Sequence, residues 1–211
     1  ACKVSTALGF VNPILGAALQ SRYLLYALQA GEPFRIAIGM GREAIFNSTE
    51  GGRNLKRVSE LQQAAGTLTA KLDDPLAEAY RHLVQGQCGY MFGRWRSCSD
   101  ALEVAERILV DKCTGVTWEL NSSRFFWGNS LVFQGRWVEL GQRLGRWIKD
   151  AGERSDIYAF SNLQILGTRC VTLASGDVER AQQEIDDGMQ MWQSEQFGVP
   201  HFTAELSRVQ L

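Results

Sequence analysis

The sequence predicts an all-α fold, a superhelix of about ten antiparallel helices, from three observations. First, Gly-Arg-Trp occurs at 93–95 and again at 135–137, and a related stretch opens at Gly176, so the spacings are 135 − 93 = 42 and 176 − 135 = 41 residues. A constant spacing of roughly 20 to 50 residues is typical of stacked repeats. Second, apolar residues recur three and four positions apart over most of the chain. Third, no segment alternates apolar and polar residues as a strand would, so no sheet is expected.

Each repeat start is followed by an apolar stripe at fixed offsets. Three, seven and ten positions after Trp95, Trp137 or Val178 stand Cys98, Leu102 and Ala105, then Leu140, Leu144 and Trp147, then Ala181, Ile185 and Gly188. Trp95 and Trp137 are expected to be buried between the two helices of their repeats. Gly86 and Gly128 stand seven positions before a turn glycine, and a glycine inside a helix usually indicates close helix contact.

The first two helices are predicted after prolines, which a first helical turn accepts. One begins at Pro13 and ends at Gly31, and the next runs from Pro33 to about Asn47. The stretch Asn47–Gly52 is the most loop-like in the chain, and a further apolar stripe covers about 55–72 before Asp73-Asp74-Pro75 ends it.

The remaining helices follow one another after connections of two to five residues, which make neighbouring helices antiparallel. They are predicted at about 75–91, 94–112, 116–134, 136–152, 157–175, 177–195 and 199–211.

The predicted organisation is one helical-repeat domain, 1–211, with repeat turns near Gly31, Gly93, Gly135 and Gly176. Since 93 − 31 = 62, the first interval is one helix too long. Residues about 48–72 are therefore predicted as an irregular insertion or as a continuation of the preceding helix past a kink at Gly51-Gly52. The chain begins without Met and stops inside a periodic segment, so it is expected to be a piece of a longer protein.

Composition argues against several classes of protein. The net charge of −1 favours neither nucleic acid nor an anionic membrane surface, and no apolar run approaches the roughly 20 residues of a membrane span. The five cysteines are odd in number and scattered, which suits reduced thiols in the cytoplasm better than a disulfide framework. Basic side chains cluster on two successive second helices, the helices that follow the turn glycines; they are Arg94, Arg96, Arg136, Arg143, Arg146 and Lys149. Nearby acids can balance much of this charge, so the nucleic-acid interpretation is weak.

The sequence contains almost no motif that is typical of a catalytic site. Gly39–Ala44 matches a dinucleotide fingerprint nominally, but it lies in a helical stripe and no strand precedes it. His82 and His201 form no metal-ligand spacing with each other or with the cysteines. The segment is therefore predicted to be non-catalytic, with no metal and no cofactor.

At the repeat residues the chain resembles the tetratricopeptide class: Gly-x-aromatic, then a small residue, a large residue and a second small residue along one helix face. The stretches Gly31–Arg35, Cys113–Glu119 and 192–197 also resemble the carboxy-terminal region of large bacterial serine/threonine protein kinases. This resemblance implies an α-helical solenoid and a parent protein with an ATP-dependent kinase domain. No kinase motif lies in the chain itself.

The tetratricopeptide resemblance implies that first-helix residues face a concave groove. Counted back from the turn glycines, these candidates are Tyr80, Leu83, Gln87, Tyr90, Ser122, Phe125, Asn129 and Phe133. Trp118 and Trp127 add aromatic surface on the same first helix as the last four candidates, which also favours a groove there.

The expected partner is a protein or peptide, including the parent's own kinase domain, and the expected role is that of an interaction or regulatory module. An alternative is a regulatory domain that senses a small ligand held between first helices. The segment 199–211 lacks its second helix, so self-association through its apolar stripe is also expected.

Overall fold

The computed structural model describes residues 12–194 and 197–211, and within these ranges it contains ten α-helices and no strand. The all-α prediction and the expected number of helices are confirmed. The helices are α1 Pro13–Ala30, α2 Pro33–Ser48, α3 Leu55–Thr69, α4 Pro75–Met91, α5 Trp95–Lys112, α6 Thr117–Phe133, α7 Trp137–Glu153, α8 Ile157–Gly167, α9 Val178–Met191 and α10 Val199–Arg208. None of the helices in the described part of the chain is long and apolar enough to cross a membrane.

Three helices begin with a proline, as the sequence predicts, and a polar side chain caps each of them. Pro13, Pro33 and Pro75 each occupy the first position of their helix. Asp74 Oδ1 accepts the Leu76 and Ala77 N–H groups at 2.8 and 3.0 Å, which satisfies two donors that the helix itself leaves unpaired.

Left-handed glycines connect the helices at every predicted repeat turn. Gly31, Gly93, Gly135 and Gly176 have φ values of 67, 69, 68 and 82°, a region that residues with a Cβ rarely adopt. Gly51 has the same conformation, with φ 70°, although the sequence pattern did not single it out as a repeat turn.

The stretch predicted as an irregular insertion needs correction. A short 3₁₀ turn, Gly51–Asn54, leads into the regular helix α3, which packs against α2 and α4. With Gly51 as a turn, 93 − 51 = 42, so the spacing equals that between Gly93 and Gly135. The stretch about 48–72 is thus a turn and a second helix. The apolar stripe of α3 is displaced by two residues because the 3₁₀ turn comes first, and this hides the match from a fixed-offset pattern.

The chain divides into two compact units, Ala1–Trp127 and Gly128–Leu211, and the boundary lies inside α6. This division by contacts does not test the prediction of a single repeat domain. In the first unit α1 packs on α2, α2 on both α3 and α4, and α4 on α5. A small core cluster of Ala79, Leu109, Val116 and Leu120 joins α4 and α5 to the start of α6. First helices α2 and α4 therefore contact each other directly, as stacked helical hairpins do.

In the second unit α8 contacts α7, α9 and α10, and Ile165, Ile185 and Ala204 form a buried cluster. The helix predicted at 157–175 changes its winding, because α8 is followed by a π-helical turn at Thr168–Thr172 and a 3₁₀ turn at Leu173–Ser175. The Thr168 and Thr172 hydroxyls donate to Glu184 Oε2 at 3.0 and 2.7 Å, so a carboxylate of α9 holds the π turn in place.

The apolar stripe predicted on α7 is buried, but the tryptophan that precedes it is not. Leu140, Leu144 and Trp147 are all at most 4% exposed, whereas Trp137 is 46% exposed. The prediction that Trp137 is a core residue is therefore wrong: it is the first residue of α7, and the buried stripe begins one turn later. Trp95, its counterpart on α5, is half-buried with its ring edge-on to Tyr90 at 5.2 Å.

Gly86 and Gly128, the glycines seven positions before a turn glycine, lie at close contacts. A Cβ on Gly86 would approach the Leu102 side chain to 2.4 Å, and a Cβ on Gly128 would approach Leu166 to 2.6 Å. Both distances are far below a van der Waals contact, so the two leucine side chains can occupy these positions only beside a residue without a Cβ. The sequence-based expectation of close helix contact is confirmed at both positions.

Candidate functional site

A groove in the first unit is lined by three successive first helices, α2, α4 and α6. Its cavity measures ≈ 190 Å³. The lining residues are Arg42, Ile45, Phe46 and Thr49 of α2, Tyr80, Leu83, Gln87 and Met91 of α4, and Trp118, Ser122 and Phe126 of α6. Second helices contribute none of them. The groove follows from the repeat register, because residues about one helical turn apart on each first helix share one face.

The floor of the groove carries one ordered charge. Arg42 is 7% exposed, and its Nε donates to the Tyr80 hydroxyl at 2.7 Å. The guanidinium carbon also lies 5.8 Å from the centre of the Tyr80 ring, within cation–π range. Two neighbouring first helices thereby fix the orientation of a planar guanidinium, a group suited to carboxylates.

The walls of the groove are apolar, aromatic and only partly buried. Phe46, Met91 and Phe126 are half-buried, and Trp118 is 37% exposed. Buried residues such as Leu83 and Gln87 lie below them. Aromatic and Arg side chains around a depression are the residues that dominate binding energy in protein interfaces.

The structure brings four of the eight predicted groove residues together. Tyr80, Leu83, Gln87 and Ser122 all line the groove. Tyr90 and Phe125 do not line it, but both rings pack edge-to-face on the groove residue Phe126, with centroids 5.1 and 5.5 Å away. They support the wall from behind.

The other two predicted residues, Asn129 and Phe133, belong to the second unit. Asn129 is buried and Phe133 is exposed. Their part in a common surface with the first four stays a prediction.

The two tryptophans of α6 have different surroundings. Trp118 lines the groove, as predicted, whereas Trp127 is 1% exposed and is a core residue. The two are nine positions apart, which on a helix turns the second side chain away from the first. The expectation that both contribute to an open aromatic surface is therefore corrected to Trp118 alone.

Sequence reasoning missed the whole α2 side of the groove. Ile45 stands six positions before Gly51, as Gln87 stands six before Gly93 and Asn129 six before Gly135. A turn placed at Gly51 would have predicted Ile45. Arg42 would still have been missed, because ten positions before the turn, where Leu83 and Phe125 stand in the later units, the chain has Gly41.

Outside the groove, the described residues show little that could support chemistry. No cluster of three or more His, Cys, Asp or Glu side chains suited to a metal occurs among them. Cys88 is buried, and burial raises the pKa of its thiol to about 12 although hydrogen bonds with Ser48 and Gln62 oppose the shift. Such a thiol stays protonated and is a poor nucleophile.

Part of the basic cluster on the second helices is paired with an acid. Arg136 and Arg143 both form ion pairs with Glu139, the second at 2.9 Å. In the first unit, Arg124 of α6 forms a largely buried pair with Glu106 of α5 at 2.7 Å. Each of these pairs reduces the positive charge that a phosphate backbone would meet.

Two comparisons with known proteins add nothing to the interpretation of this geometry. Comparison with protein-family models finds no match, and comparison with curated proteins finds none either.

Proposed function

We propose that this chain is a non-catalytic interaction module whose groove on α2, α4 and α6 binds a peptide segment of a partner protein. The observation that carries the proposal is the groove itself, in which three first helices in sequence contribute aromatic walls and a buried guanidinium. Helical repeats use surfaces of this kind for peptides because successive units extend one continuous binding face.

The chemistry of the lining indicates the kind of peptide. An apolar or aromatic side chain would pack against Phe46, Trp118 and Phe126, and a carboxylate would accept hydrogen bonds from the guanidinium of Arg42. The preferred segment therefore places an acidic residue, or a free carboxy terminus, next to an apolar residue. Gln87 and Ser122 add neutral hydrogen-bonding groups for the peptide backbone.

Selection from a random-peptide display library against the purified chain tests this proposal. We expect the selected peptides to share a carboxylate beside an apolar residue. Replacing that carboxylate by its amide should weaken binding by about tenfold or more, because a charge-assisted hydrogen bond in a partly buried groove is lost. Binding affinity is measured by calorimetry or fluorescence anisotropy.

A pair of arginine substitutions provides the matched control. Ser122→Arg places a long cation in the groove, and Thr67→Arg places the same side chain on the exposed face of α3. The first should abolish binding and the second should leave it unchanged. Equal loss, or no loss, in the two variants would contradict a site in this groove.

We also propose that the module belongs to a larger bacterial signalling protein of the cytoplasm. The resemblance to the tails of serine/threonine kinases supports a kinase parent, and the parent's own kinase domain is then a natural partner. A kinase domain encoded in the same reading frame is the finding that would support this context. A nucleic-acid partner is not favoured, since the chain has a net charge of −1 and Glu139 pairs with two arginines of the basic cluster.

Self-association through 199–211 is proposed on the exposure of α10. Phe202 and Val209 are 58% and 84% exposed, and Leu206 is also exposed, so an apolar stripe lies open to a second copy of the chain. Sedimentation of the chain should show concentration-dependent association that Phe202→Glu weakens. A chain that remains monomeric at high concentration would contradict it.

A further inference from the structure

The first unit also contains a cavity of ≈ 330 Å³ between α2, α3 and α4. It is separate in position from the groove, which α6 helps to line and α3 does not. Only Tyr80 lines both. The volume is within the range of roughly 300–1,000 Å³ that small-molecule sites occupy.

The cavity arises at a break in the repeat pattern. Position 62 of α3 corresponds to positions 102, 144 and 185 of the later second helices, since 102 − 62 = 40, 144 − 102 = 42 and 185 − 144 = 41. Those later positions are Leu102, Leu144 and Ile185, and all three are buried. In α3 the residue is Gln62, which is half-buried. A polar carboxamide of similar size thus stands where the later units place a buried apolar side chain.

Small residues around Gln62 leave the space open. The walls include Ala37 and Gly41 of α2, Ala65 and Gly66 of α3, and Ala77 of α4. The space is open to solvent on the side of Gln63 and Gln85, which are both exposed. It lies where the buried stripe of α3 turns polar.

The polar lining is formed by carboxamides. Gln62 and Gln63 of α3 and Gln85 of α4 line the cavity. Each carboxamide offers a donor and an acceptor side by side, so it complements a ligand edge that carries an N–H next to a C=O or a ring nitrogen. Such an edge occurs in amides, lactams and nucleobase-like heterocycles.

The charge of the cavity favours a neutral ligand. Arg81 is the charged residue of the lining, and its Nη2 and Nε donate to Glu78 at 2.7 and 3.1 Å. The hydrogen bond from Arg81 is also the main cause of a lowered pKa of the Glu78 carboxyl, so this pair stays ionised and mutually neutralised. A charged ligand would meet no uncompensated opposite charge there.

We propose that the cavity between α2, α3 and α4 is a binding site for a small neutral molecule with adjacent hydrogen-bond donor and acceptor groups, held by Gln62, Gln63 and Gln85. The site is independent of the peptide groove proposed above. Because Tyr80 borders both spaces and also holds Arg42, an occupant of the cavity would touch the residue that orients the groove's charge.

Titration of the chain with nicotinamide, uracil and 2-pyrrolidone tests the site, with no peptide present. We expect at least one of these neutral probes to bind saturably and to shift the side-chain amide NMR signals of Gln62 and Gln85. N,N-dimethylnicotinamide, which lacks the N–H, and nicotinate, which is charged, should each bind about tenfold more weakly than nicotinamide or not at all.

Two substitutions complete the test. Gln62→Leu restores the residue type of the later units and removes a carboxamide from the lining at nearly constant side-chain size, so it should abolish probe binding while the melting temperature is maintained. Gln190→Leu, on the exposed face of α9, makes the same chemical change away from the cavity and should leave binding intact. The proposal is overturned if none of the three probes binds saturably, if the dimethylated amide binds as well as its parent, or if Gln62→Leu binds as the wild type does. Each of these results leaves the peptide-groove measurements unaffected.

Discussion

Trp147→Ala should lower the free energy of unfolding by about 3–5 kcal/mol, the range measured when a large core side chain is removed. Trp147 is 3% exposed, and its ring lies against Gly128, where a Cβ would be 3.7 Å away from it. The indole closes the layer beneath α7, so its removal leaves a cavity that the surrounding helices can fill only in part. Chemical denaturation with an unchanged m-value provides the measurement.

Trp137→Ala is the matched control, because it deletes the same side chain ten positions earlier on the same helix. Trp137 is nearly half exposed, so the expected loss is no more than about 1 kcal/mol. Equal losses in the two variants would mean that the buried stripe of α7 is not the one described. A large loss from Trp137 alone would restore the original sequence-based expectation.

Gly86→Ala should destabilise the protein by about 1–3 kcal/mol, although alanine favours helices over glycine. The new Cβ would be 2.4 Å from two carbon atoms of Leu102, so either Leu102 must leave its position or α4 and α5 must separate. The predicted sign is therefore opposite to that of helix propensity, which makes the result informative.

Gly145→Ala on α7 supplies the comparison, since a Cβ there meets nothing within 4 Å. Helix propensity alone then acts, and stability should rise by roughly 0.5–1 kcal/mol. Thermal and chemical unfolding of both variants measures the difference. A stabilised Gly86→Ala variant would show that the close contact between α4 and Leu102 is not as described.

Periodicity was sufficient to predict second helices such as α3, α7 and α9 because each of them buries a single face. The spacing of the glycine turns and the stripe at Leu140, Leu144 and Trp147 both follow from the requirement that stacked hairpins present the same positions to one another. Helix boundaries in the first unit were also predictable, because Pro33 and Asp74-Pro75 carry local signals that need no tertiary context.

The parts that could not be predicted depend on local geometry that a fixed offset does not represent. The 3₁₀ turn after Gly51 displaces the stripe of α3 by two residues and so conceals the first repeat. Trp137 follows the repeat pattern and yet is exposed, because position one of a helix lies at the edge of the packed layer. The π turn at Thr168–Thr172 depends on Glu184, a residue twelve or more positions away. The local sequence carries no signal that predicts this turn.

The residues of the candidate groove also divide into those that the sequence could predict and those that it could not. Tyr80, Leu83, Gln87 and Ser122 could be assigned by counting back from a turn, because they repeat one register on regular helices. Arg42 could not, since the repeat turn predicted near Gly31 makes α2 a second helix, whereas it lines the groove as a first helix. Its role also depends on a hydrogen bond to Tyr80, 38 residues away. A contact between two repeats, such as the hydrogen bond from Arg42 to Tyr80, can be identified only in the folded structure.

The most direct test of the account is hydrogen–deuterium exchange of the chain with and without a peptide selected for binding. Three first helices forming one groove predict that protection on binding is concentrated in 42–49, 80–91 and 118–126, with α3 and α5 little changed. Protection confined to the second helices α3 and α5, or spread evenly over the chain, would contradict the groove on the first helices and with it the proposed function.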